Sequence, residues 1–163
     1  MKKLILLLLF IPLVSFGQTY KDIMSISSVD MYKKVSIENG YTFVQEEEDG
    51  WITYGFDVTK DSINGDTASR WSYYNKKDHR FSLQISRKDL FGIKVDDGPY
   101  DLIVEEIKEK CKYFGIETYK YEDAEFKQWD DYVCYSCSES TYRGKIGFVV
   151  RGEGGIIRHF PNK

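Results

Sequence analysis

Residues 99–115 read PYDLIVEEIKEKCKYFG. Ile103, Ile107, Cys111 and Phe114 recur at spacings of four, four and three, the period of a helix with one apolar stripe. Glu106 and Lys110 form an i,i+4 pair on the wet side. Pro99 suits a first turn and Gly115 the position after a last one, so a helix over 100–114 is expected. Beyond it the period changes to two, and strands are expected at 117–121, 132–138, 145–151 and 156–160. Gly152-Glu153-Gly154-Gly155 reads as a hairpin turn, and Pro161 ends the last strand.

The same order precedes this stretch. Ser28 can cap a helix over 29–39 that carries Met31, Tyr32 and Val35 on one side, and Gly40 follows as its C′ residue. A strand opens near Tyr41. In 51–58, Ile52, Tyr54, Phe56 and Val58 face one way and Thr53, Gly55 and Asp57 the other. Strands at 67–75 and 81–85 follow, with Asn64-Gly65 as a turn signal.

The chain has 163 residues, 42 % of them hydrophobic and 30 % charged, with a net charge of −3. That length holds one sizeable core and excludes a large multidomain enzyme. The composition excludes disorder, and a pI near 5.5 lacks the basic footprint of a nucleic-acid binder. Residues 1–17 (MKKLILLLLFIPLVSFG) join a positive start, an apolar run and small residues at Ser15 and Gly17, so they read as a secretory signal peptide cut before Gln18. The apolar run of Leu4 to Val14 would rise only about 16 Å as a helix, too short to span. No Cys follows the cut, so no lipid anchor is expected. The mature chain, 18–163, is expected as one secreted or periplasmic domain with no membrane span.

Helix then strands, twice over in 20–95 and 96–163, predicts an α+β protein of two layers, helices packed on antiparallel sheet. In element order this resembles the tandem helix-plus-four-strand repeats of the β-lactamase inhibitor proteins. The signal peptide with its helix-then-strands opening also resembles short secreted bacterial proteins of unknown function. Both likenesses are architectural and imply no site residue.

Three cysteines remain in the mature chain: Cys111, Cys134 and Cys137. Cys134-Tyr-Ser-Cys137 matches C-x-x-C, yet a redox motif of that kind opens a helix, and this segment reads as strand. On a strand, residues i and i+3 face opposite ways about 10 Å apart, beyond the roughly 7 Å limit of a disulfide. Cys111 lies on the apolar helix stripe and Cys137 on the more apolar strand face, so Cys111–Cys137 is the favoured pair, followed by Cys111–Cys134. A zinc site would consume nearly every Cys and His, with His79 and His159 the only histidines, and no ligand spacing supports one. No metal or cofactor is expected.

The acidic clusters Glu46-Glu47-Glu48-Asp49, Asp96-Asp97 and Asp130-Asp131 fall at turns and strand edges and match no calcium loop. Neither histidine neighbours a nucleophile motif, and no phosphate-binding glycine loop appears. Aromatic residues, 16 % of the chain, carry the functional signal. Trp51, Trp71, Tyr73, Trp129, Tyr132 and Tyr142 are the candidate binding residues, as amphipathic rings on a sheet face. The function expected is therefore binding of a protein, peptide or envelope polymer. The alternative is a small envelope enzyme using Cys134 and Cys137 or the paired carboxylates.

Overall fold

The computed structural model describes residues 18–63, 65–87, 98–121 and 128–162. The expected signal peptide, Asn64 and the Asp96-Asp97 pair lie outside the described residues. The elements are α1 (Tyr20–Ser25), α2 (Val29–Glu38), β1 (Thr42–Glu46), β2 (Trp51–Phe56), β3 (Arg70–Asn75) and β4 (Phe81–Ser86). Then come α3 (Pro99–Lys110), β5 (Lys112–Tyr121), β6 (Gln128–Ser136), β7 (Gly144–Arg151) and β8 (Gly154–Pro161). All eight strands form one antiparallel sheet in the order β1-β2-β3-β4-β8-β7-β6-β5. Each half is a meander, and the last strands of the two meanders, β4 and β8, pair with each other from Ser82↔Arg158 to Ser86↔Gly154. The helices cover one face, so the α+β expectation holds.

The core lies between helices and sheet. Tyr32 of α2, capped by the Ser28 hydroxyl, is fully buried; its ring stacks on Tyr74 at 5.1 Å. Its hydroxyl donates to the Ser72 carbonyl at 2.7 Å and also reaches the Ile52 carbonyl at 3.3 Å, tying the helix to two strands at once. Gly40 follows with φ +78°, a conformation open to glycine at little cost. From α3, Tyr100, Ile103, Val104 and Ile107 enter the core.

Three local expectations are corrected. The third helix stops at Lys110, and Lys112 already opens the ten-residue β5. Gly115, expected beyond a helix end, instead sits at the bulge where the β5–β6 register shifts, with φ +152°. Phe114, expected on the apolar stripe, is 57 % exposed. Tyr and Phe are strand formers, and pairing with β6 satisfies the backbone groups that another helical turn would have used. The short α1 was not anticipated, although Thr19 and Asp22 form a complete capping box.

His159 of β8 points toward the helices, fully buried, with its ring 4.2 Å from that of Tyr142. Neither ring nitrogen has a hydrogen-bond partner, and burial pushes the imidazole down to about 3, with the Ile23 main chain opposing weakly. The folded chain thus refuses a proton that the unfolded chain accepts below about pH 6.5. Stability is present above that pH and falls as pH drops toward 3, by about 2 kcal/mol between pH 7 and 5. His159→Phe keeps a ring against Tyr142 and Phe81 and should flatten this slope. Urea unfolding at both pH values checks it; an unchanged slope in the variant would place the proton elsewhere.

Candidate binding site

The face of the sheet opposite the helices presents alternate residues of β2, β3, β4, β8 and β5. From the first half come Trp51, Tyr73, Asn75, Ser82 and Gln84, and from the second Tyr119, Tyr121, Ile156 and Arg158. Together they line a depression of about 920 Å³ that crosses the β4–β8 junction. Curvature makes it. In a flat sheet β4 and β5 would stand about 19 Å apart, more than two side chains and the gap between them can span. Yet Arg80, at the entrance to β4, has its guanidinium 5.5 Å from the Tyr119 ring of β5. The sheet therefore coils toward its open face, forming a trough.

Arg158 lies at the floor of this trough, on the fifth of eight strands. It is 8 % exposed. Its guanidinium carbon sits 3.6 Å from the centre of the Tyr119 ring and 5.6 Å from those of Tyr121 and Tyr132. Nε reaches the Ser82 hydroxyl at 3.5 Å, and Nη1 has no hydrogen-bond partner. No carboxylate among the described residues forms an ion pair with it. Burying an uncompensated charge costs several kcal/mol, which desolvated ring faces at about 2 kcal/mol each offset only in part. The two arginines at the rim are already occupied. Arg80 pairs with Asp78 beneath the Trp51 ring, and Arg151 stands 3.8 Å from Asp130 beside Tyr121.

Three tyrosines in and beside the trough are held protonated. Burial raises Tyr73 to about 12 and raises Tyr121 and Tyr132 as well. The Tyr121 hydroxyl donates to Asp130 at 2.7 Å, fixing the ring that flanks Arg158. Such a set of rings, amides and guanidinium groups offers surfaces for stacking and charge, and among the described residues that line it no nucleophile meets a base.

The expected binding residues divide. Trp51 and Tyr73 line the trough. Trp71, whose ring is 6.5 Å from Tyr73, faces an adjoining depression of about 500 Å³. Tyr132 shares the open face but is fully buried, packed with Phe160, Ile156 and Cys134 into a small second core. Trp129 pairs with Lys120 and faces the other side of β6, 59 % exposed. Tyr142 is buried against His159, away from the trough. Arg158, Tyr119 and Tyr121 were missed. The signal for Arg158 was a charge at the middle of the apolar run Ile156-Ile157-Arg158-His159-Phe160.

Among the described residues the groups named for the enzyme alternative do not come together. Cys111 and Cys137 are joined, with Cα atoms 4.5 Å apart, as the favoured pairing expected. Cys134 points to the opposite face and is buried, its thiol pushed up to about 11 by burial and by Glu117. It should resist iodoacetamide at pH 8 in native protein and react once urea is added; rapid native alkylation would restore a nucleophile reading. Asp130 and Asp131 project from opposite faces, held by Tyr121 and Thr118 respectively. Glu46 is paired with Lys76 at the surface. Among the described residues no three His, Cys, Asp or Glu side chains converge as metal ligands, and no helix is long and apolar enough to cross a membrane.

Comparison of the chain with protein-family models, with characterised proteins and with solved structures returned no match.

Proposed function

We propose that the protein is a non-catalytic binding module of the secreted or periplasmic space that holds a polypeptide partner in the open-face trough. The observation that supports this most is the trough itself. Helices cover one face of the sheet, whereas the other carries Trp51, Tyr73, Tyr119 and Tyr121 over a central arginine and has no covering element among the described residues. Rigid rings with polar handles give contact area at small entropic cost, which is why Tyr, Trp and Arg dominate protein-binding hot spots. The Cys111–Cys137 bridge accords with an oxidising compartment.

The test is selection of peptides from a random twelve-residue display library on the wild-type protein. Trp51→Ala with Tyr73→Ala should weaken the selected peptides by about thirtyfold, the mark of two hot-spot rings. Both side chains sit above the sheet rather than inside the helix-side core, so the melting temperature should hold within about 3 °C. If binding is unchanged, or if stability falls in step with it, the rings belong to the fold and the trough is not the site.

A further inference from the structure

We propose that the trough selects polypeptides carrying an acidic side chain, whose carboxylate docks on the Arg158 guanidinium at its floor; this rests on the trough being the binding site. The argument begins from an imbalance. The chain as a whole is acidic, with a net charge of −3, yet the centre of its open face holds a buried cation without a counter-ion among the described residues. Arg158 is more than nine-tenths buried and lines the trough, and its Nη1 is unpartnered and closed to solvent, so a carboxylate reaches it by displacing one of the rings that cover it. Tyr119 stacked at 3.6 Å and Ser82 at Nε hold the guanidinium plane in place before any ligand arrives. A fixed planar fork matches the two oxygens of a carboxylate.

The number and place of the charges narrow the ligand. A polymer with a carboxylate on every sugar would need cations at intervals along the trough, but Arg80 and Arg151 are taken by Asp78 and Asp130. One vacant guanidinium calls for one carboxylate. It lies on the fifth of eight strands, at the middle of the trough, where a segment passing through lowers a side chain. A chain terminus would instead be expected at one end. Trp51 and Tyr73 on one flank and Tyr119 and Tyr121 on the other then cover the apolar neighbours of that acidic residue.

The experiment uses the peptides selected on the full chain with its disulfide intact. The expected result is an Asp or Glu in each selected sequence. Its exchange for Asn or Gln should weaken binding about tenfold or more, the discrimination of a charge-assisted pair. Arg158→Met should weaken the acidic peptide equally and leave the affinity of the amide peptide unchanged, because the two changes remove one interaction. The same variant should melt at or above the wild-type temperature, since it removes a buried unpaired charge. Arg158→Lys, which keeps charge but loses the fork, should fall between the two.

The peptide exchange stands even where a protein variant folds poorly. Peptides that lose binding with Trp51→Ala and Tyr73→Ala, yet ignore the exchange of acid for amide, would overturn the carboxylate anchor and keep the trough. Preference for a C-terminal carboxylate over an internal one would overturn the side-chain assignment. Failure of peptides beside binding of a galacturonate oligomer would overturn both the peptide class and the single-charge argument.

Discussion

Replacing Cys111 and Cys137 together by alanine is expected to lower the free energy of unfolding by about 3.5 kcal/mol, from the entropy released to an unfolded chain no longer closed over 26 residues. A domain of this size has on the order of 5–15 kcal/mol in all, so the loss is a large part of the whole. The bridge joins the C-cap of α3 to the end of β6, two places that the chain also connects through β5. Its removal therefore leaves the fold specified and the helix less firmly seated. Guanidinium unfolding reads the effect as an earlier midpoint, and wild-type protein in reductant should unfold where the double variant does. An unchanged midpoint in the double variant would mean that the bridge contributes nothing to stability.

Gly155→Ala should cost about 3 kcal/mol, at the upper end of ordinary overpacking. Gly155 is buried on the helix face of β8, opposite Ile85 across the junction of the two meanders. A methyl group there would lie 2.2 Å from the Tyr100 ring of α3. The ring has nowhere to retreat. It is 3 % exposed, with the Arg87 guanidinium 5.6 Å from its centre and Arg87 paired with Asp101 of the same helical turn at 3.0 Å. The conflict is local, so Tyr100→Leu in the same chain should recover part of the loss, and the two changes should cost less than their sum. Strict additivity would show that Gly155 matters for its backbone rather than for the ring above it.

Much of this architecture was legible wherever a rule acts over a few residues. The Ser28 cap, the Gly40 exit and the alternation in 51–56 each found its place, but the strand ends at Phe56, Asp57 turns to φ +54° and Val58 falls on the Gly55 side instead of the expected Phe56 side. The helical reading failed at Cys111–Phe114 because two patterns overlap there. The apolar spacing continues the stripe of α3, while the partner that claims the segment, β6, lies some twenty residues downstream. The site was half legible for the same reason. Alternation groups Trp71 with Tyr73 and sets Trp51 opposite Ile52, and the β2–β3 register then puts all three on one face. That β5 curls over until Tyr119 stacks on Arg158 depends on sheet coiling across three intervening pairings, and no short window of sequence encodes it. Tyr142 was misplaced because its loop folds back under β8, where His159 receives it.

The two cysteines of the Cys-x-x-Cys segment emerge on opposite sides of the sheet, and this bears on how the chain matures as well as on what it is. An oxidant meeting the nascent protein has three thiols to join and only one correct product. Once β6 pairs with β7, Cys134 is set against Gly147, where its sulfur would stand 2.7 Å from any added methyl group, under the rings of Tyr132 and Phe160. Cys137 is left facing Cys111. In the paired sheet the pleat keeps the wrong thiol out of reach of Cys111, so a Cys111–Cys134 bond could form only with the sheet opened.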